Sequence, residues 1–414
     1  VNSLIRSILI RLSLVAVMIG FILSIAQCQP GFRLRQGSRK MTMSFERYNN
    51  LVIIPITIND KITLRFILDT GVQNAILTEK AYADLLGLHY DRKINLAGAG
   101  DIDSVNAYVV KDIKLALPGI IGERQSLLVL EEDYLNLRNN LGAEVFGIIG
   151  YEIFSRFVVE FNYDENKLTF YEPHYFTPKK YYKVLPLSIE GTKPFIQVPI
   201  TQANGKKIDA KLLVDTGASH AVLLEKDTDP DLVLPEKVLR TSLGKGLSGD
   251  IAGDVGRLKS IKMDKYVFKD VLASYPLAGA YRRKRDDGRN GTLGGEILTR
   301  FNPVIDYFQN KLYLRKSEEH RKTFEHDMAG LEFTAVGKDL NQILVTKVRP
   351  DSPAFKAGML KDDIITHVHG HRIGTTNFNY INTLFRLRPG KKVKLRVLRG
   401  DEELKVDFRL ERMI

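Results

Sequence analysis

Apolar residues fall in short, β-branched runs separated by polar or turn-forming residues, as in LVIIPITI at 51–58, FIQVPI at 195–200 and KLLVD at 211–215. Runs of this length bounded by turn formers predict strands, and their number predicts β-rich lobes with continuous cores. Two of the runs lead into the same triplet. The first reads LRFILDTGVQNAILT, with Asp69, Thr70 and Gly71, and the second reads AKLLVDTGASHAVLL, with Asp215, Thr216 and Gly217. Each pattern predicts strand, tight turn, strand, with the acid at the turn.

The surroundings repeat as well. GIIGYEIFSRFVVEFNYDENKLTFYEP begins at Gly147 and GTLGGEILTRFNPVIDYFQNKLYLRKS at Gly291. Without a gap, this register matches Gly150 to Gly294, Glu152 to Glu296, Arg156-Phe157 to Arg300-Phe301 and Tyr163 to Tyr307. The spacing from acid to glycine is 78 residues in the first copy (69 to 147) and 76 in the second (215 to 291). Between them lie glycine pairs, Gly98 and Gly100 in LAGAGD and Gly244 and Gly246 in SLGKGL. A whole lobe is duplicated. A single Asp-Thr-Gly is an ordinary turn, because Asp and Gly both favour turns. Two in matching contexts point instead to a pair of carboxylates.

These motifs resemble the aspartic peptidases, the pepsin and retropepsin clan, over roughly residues 48–315. The resemblance implies a mainly β fold, two duplicated lobes of the acid-protease type, each threading its Asp loop against a hydrophobic-hydrophobic-Gly segment (Ile148-Ile149-Gly150 and Leu293-Gly294). It implies Asp69 and Asp215 as catalytic residues meeting at a pseudo-twofold axis over a water. Thr70 and Thr216 would hold the two loops together, Gly71 and Gly217 would let backbone turn under the carboxylates, and Gly98 and Gly100 would form a flap. Two carboxylates so close share one proton, which supplies a general base and a general acid without metal or cofactor. The chain departs from the pepsin pattern at Val72 and Ala218, where a hydroxyl usually follows the triplet. Without that hydrogen bond to the ionised form, a milder pH optimum than pepsin's is expected. The flap NLAGAGDIDSV lacks the pepsin tyrosine and is closer to a retropepsin flap.

From about residue 329 the pattern changes. SPAFKAG at 352–358, Asp363-Ile364-Ile365 and Gly370 resemble a PDZ domain of the bacterial protease type, a small α+β module. Ser352 is expected to cap a short helix that has Pro353 at its first position. Ile381, Leu384 and Phe385 recur at helical spacing. The resemblance implies a peptide groove lined by Leu331, Phe333, Ile381, Leu384 and Phe385, binding peptide or protein C-termini by strand addition. His367, His369 and His371 alternate, but Gly370 is expected to start a turn between them, so no metal site is assigned.

Composition narrows the picture further. The 414 residues are 44% hydrophobic, and the net charge of +12 is dispersed except in the run 281–286. No aromatic interleaving accompanies it, so nucleic acid is not expected as a partner. Arg6 and Arg11 precede an apolar stretch from Leu12 to Ile25, the form of a signal peptide. Cleavage after Ala26, lipidation of Cys28 or retention as a membrane anchor are its three fates, and all export the chain. The single cysteine excludes an intrachain disulfide. The expected organisation is a signal peptide at 1–26, an N-terminal segment at 27–47 with a pro-segment role, lobes at 48–180 and 181–316, a charged linker at 317–328 and the PDZ at 329–411. The duplication supplies both acids, so a monomer suffices. The function expected is an exported, bacterial aspartic endopeptidase acting on polypeptides without a cofactor. The alternative is a non-catalytic peptide-binding scaffold that keeps the fold.

Overall fold

The computed structural model describes residues 31–280, 287–374 and 378–414. The leader with Cys28 and the basic run at 281–286 lie outside the described residues. Among the described residues, no helix is long and apolar enough to cross a membrane.

The fold is mainly β, with a C-terminal PDZ. Each lobe is built on one large sheet, nine-stranded in the first and eight-stranded in the second. The longest antiparallel pairs are hairpins, Val105–Leu117 with Ile120–Leu130 and Gly249–Met263 with Tyr266–Pro276. Apolar residues alternate inward along them, as period-two patterning requires. A third, six-stranded sheet lies between the lobes and takes strands from both, with Val159 opposite Ile305 and Glu160 opposite Val304. One continuous hydrophobic core runs through both lobes, from Phe32 and Val52 in the first to Leu298 and Leu314 in the second.

Residues 31–48 correct an expectation. They are not a separable pro-segment, because they are woven into lobe 1. Gly31–Leu34 pairs with Ile120–Leu130, Lys40–Ser44 with Lys167–Tyr171, and Glu46–Tyr48 with Leu51–Ile58. Phe32, Leu34, Met43 and Phe45 are buried in the main core. Removing this stretch would strip strands and apolar surface from the lobe.

The charged stretch after residue 316 is a packed strap. Ser317 Oγ donates to Thr299 O at 2.6 Å, and Phe324 is buried beneath the Arg300 guanidinium, 3.6 Å from the ring centre. Glu325 is buried and paired with Arg412 and, at 3.6 Å, with Arg257. The PDZ then folds around its own core of Leu331, Ile343, Val345, Ile365, Ile381 and Val397. Ser352 caps the Pro353–Lys356 helix by accepting from Phe355 N. His369 and Gly370 both have positive φ at the tip between Ile364–Val368 and His371–Arg372, so a turn separates the histidines.

Candidate functional site

The acid of each lobe sits where a strand ends on a neighbouring glycine segment. Ile62–Leu68 runs parallel to Gly147–Ile149, and Asp69 N donates to Ile149 O at 2.8 Å. In lobe 2, Lys207–Val214 runs parallel to Gly291–Leu293, and Asp215 N donates to Leu293 O at 2.9 Å. The duplicated sequence therefore builds the same threaded loop twice.

The two loops interlock. Thr70 Oγ1 donates to Val214 O at 2.6 Å and accepts from Thr216 N at 3.1 Å. Thr216 Oγ1 donates to Leu68 O at 2.7 Å and accepts from Thr70 N at 3.1 Å. Both threonines are buried, so these four bonds are shielded from water and fix the loops against each other.

This brings the carboxyl groups together. An ideal Cβ on Gly217 would stand 2.3 Å from Asp69 Oδ2, so no side chain other than hydrogen fits there. Gly71 N donates to Asp69 Oδ1 at 2.6 Å, and Gly217 N to Asp215 Oδ1 at 2.9 Å. Burial holds Asp69 well above the ordinary carboxyl range, the Asp215 charge and a hydrogen bond between the two acids add to this, and the Gly71 N–H opposes it. Such a pair holds one proton between two acids.

Two neighbours were not foreseen. The Tyr307 hydroxyl is buried without a hydrogen-bond partner, and it is pushed up by burial and then by the charges of Asp69 and Asp215. His220, five residues after Asp215, has a buried Nε2 with no partner. Burial pushes it down to about 4, against the pull of Asp215. His220 aligns with exposed Asn74 in the other copy, and that asymmetry is the sequence signal that marks it.

Gly98 and Gly100 lie in the hairpin between Tyr90–Leu96 and Val105–Leu117. Lobe 2 carries an equivalent hairpin, Leu239–Gly246 with Gly249–Met263, and the two tips meet. Gly98 N donates to Ser248 Oγ at 2.9 Å, Ser248 N to Ala99 O at 2.9 Å, Ile102 N to Ser248 O at 2.9 Å, and Asp250 N to Asp101 Oδ1 at 3.0 Å. Leu247 packs against the lobe 1 cluster that contains Ile76, Val105, Ala107 and Leu130. The paired glycines of SLGKGL already hinted at this second flap.

In the PDZ, Leu331, Ile381, Leu384 and Phe385 are buried in the core. Phe333 makes edge contacts with Phe378 and Phe385, with centroids 5.4 and 5.8 Å apart. The residues expected to line an open groove are thus closed over. The strand Leu331–Val336 is nevertheless an edge, paired among the described strands only with Gln342–Val348.

Comparison with known proteins agrees with this division. Residues 54–153 and 198–297 match the family model described as aspartyl protease, and residues 319–410 match the PDZ domain. Among curated proteins, the chain is 26% identical over 171 residues to a probable CtpA-like serine protease of Staphylococcus haemolyticus, covering 40% of this chain and 32% of that protein. The Staphylococcus epidermidis protein of the same description is 26% identical over 149 residues, covering 35% and 28%, and that of Staphylococcus aureus strain COL 27% over 139 residues, covering 32% and 26%. The chain thus spans about a third or less of the length of these relatives. It is protease-like and carries a PDZ domain.

Proposed function

We propose that this chain is an aspartic endopeptidase. One observation carries the reading: two carboxyl groups, one from each copy of a duplicated loop, are hydrogen-bonded to each other on loops interlocked by Thr70 and Thr216. In the reaction, the ionised member takes a proton from a water held between them. The hydroxyl oxygen bonds to the scissile carbonyl carbon while the protonated member gives its proton to the carbonyl oxygen. The proton gained by the first acid passes to the amide nitrogen, the C–N bond breaks, and the remaining hydroxyl proton returns to the dyad. Closure of the two flaps excludes bulk water from this exchange. The PDZ supplies a second peptide-binding surface for substrate or partner tails, and export follows from the leader pattern.

The test is cleavage of a mixed peptide library between acid and neutral pH by the wild type, Asp69→Asn and Asp215→Asn. Each variant is expected to lose at least about 10⁴-fold in kcat/KM, as when a member of a concerted catalytic unit is removed. Pepstatin should inhibit, and a serine-directed acylating reagent should not. Activity that survives in both variants but falls to that reagent would assign the serine chemistry named for the staphylococcal relatives. No cleavage at any pH would leave the peptide-binding alternative. Because Val72 and Ala218 offer no hydroxyl, the pH–rate maximum should lie above about 3.

A further inference from the structure

The PDZ edge strand is not open to solvent along its length. The helix Leu137–Leu141 of lobe 1 lies against it, with Asn139 Nδ2 donating to Ala335 O at 2.8 Å and Thr334 Oγ1 donating to Asn139 O at 3.2 Å. Arg138 donates to Lys338 O from the same helix. The helix ends at Gly142, whose φ of +61° suits glycine. A Cβ there would stand 2.5 Å from Phe378, the first residue of the PDZ helix Phe378–Leu384. This wedge therefore touches both walls of the groove, strand and helix.

The other end of the strand is filled too. The Asp327 carboxylate accepts from the successive backbone groups Ala329 N at 2.9 Å, Gly330 N at 2.8 Å and Leu331 N at 3.2 Å, with Arg349 Nη1 3.6 Å away. Successive backbone N–H groups converging on one anion form a nest, the device that captures a peptide's terminal carboxylate. Here an internal carboxylate holds it.

We infer that the groove is a closed internal joint: lobe 1's wedge and Asp327 are its resident occupants, and an extended peptide ending in a free carboxylate binds only by displacing them. This deepens the peptide-binding reading of the PDZ and rests on it. It also ties the groove to the acids, because the wedge leads through Ala143 and Val145 into Gly147–Ile149, the strand that receives Asp69 N. The far wall makes a second connection. Asn379 Oδ1 accepts from Asn49 N at 3.4 Å, and Asn50 Nδ2 donates to Ser219 O, four residues past Asp215, at 3.0 Å.

The experiment uses the full chain with Asp215→Asn, so that no probe is consumed and the result does not depend on the proposed chemistry. Fluorescein-labelled decapeptides ending in Leu, Val or Phe, each as free acid and as amide, are titrated by anisotropy. Arg138→Ala/Asn139→Ala should tighten free-acid binding at least tenfold, because a site competent only when vacated has its affinity reduced by the vacated fraction. Asp327→Asn should tighten the free acids without improving the amides. Saturating free-acid peptide should speed hydrogen exchange at residues 137–141 of the parent protein. Equal affinity in parent and undocked protein, with thermal melting showing both folded, would overturn the inference. So would tight binding that leaves exchange at 137–141 unchanged.

Discussion

The two lobes are copies at the symmetry axis and strangers one layer out. At the axis they match bond for bond: each threonine donates to a carbonyl of the other lobe and accepts from the other threonine's N–H. One layer away, exposed Asn74 stands where lobe 2 buries His220. Glu152 spends one oxygen on Ala75 N and leaves the other buried without a partner, whereas Glu296 faces Arg300 at 3.6 Å. Before its glycine segment, lobe 1 has the wedge that meets the PDZ. The described part of the lobe 2 counterpart is instead anchored by Lys211 Nζ donating to Asp287 O. Duplication has kept what both copies must share in order to meet, and each lobe has specialised where only its own neighbours are involved.

Substituting the matched threonines is the strongest way to test the symmetric part. Thr70→Val and Thr216→Val each remove a hydroxyl that accepts one buried N–H and donates to one buried carbonyl. Each should cost about 2–6 kcal/mol in chemical denaturation, since each of the two buried groups left unpaired costs about 1–3 kcal/mol. Equal losses would support equal sharing of the grip, and a large difference would break the comparison.

The asymmetric part can be read through pH. Burial holds His220 at about 4 in the folded chain against 6.5 for the free side chain. The unfolded chain therefore binds the proton first as pH falls from 6.5, and stability drops down to about 4. His220→Asn, which copies Asn74, should flatten that loss by on the order of 2 kcal/mol in melts at pH 4.5 relative to pH 7. Asp69 has the opposite sign. Its carboxyl is raised above 3.8, so the folded chain keeps a proton that the unfolded chain releases, and folding is penalised as pH rises. Asp69→Asn should therefore melt higher than wild type at pH 7, with the gain vanishing as pH falls toward 3.8. Equal pH dependence in both variants would erase the distinction between the lobes.

The smallest effect is expected at the flaps. Ser248→Ala removes the hydroxyl that accepts Gly98 N, a bond worth about 1 kcal/mol, so KM should change about fivefold with little change in kcat.

Much of this was legible in the sequence because the decisive residues are local. Asp, Thr and Gly stand together, and the second glycine segment repeats without a gap. Residues 31–48 misled because their partners, Ile120–Leu130 and Lys167–Tyr171, lie about a hundred residues further along the chain. The strap misled for a related reason. Its acids look solvated in sequence, but Glu325 meets Arg412, 87 residues away, and Asp327 meets three backbone groups that composition cannot reveal. Edge-strand occupancy is likewise a matter of what folds back from elsewhere, so the PDZ motifs gave no sign of the wedge.

The two flaps carry a last consequence, for timing. Four hydrogen bonds and the seated Leu247 side chain join their tips across the cleft. If the two acids act on a peptide as proposed, its entry between the tips requires these bonds to open first. Association should then run below the ~10⁵–10⁷ M⁻¹s⁻¹ of unobstructed docking, steep in temperature and insensitive to solvent viscosity.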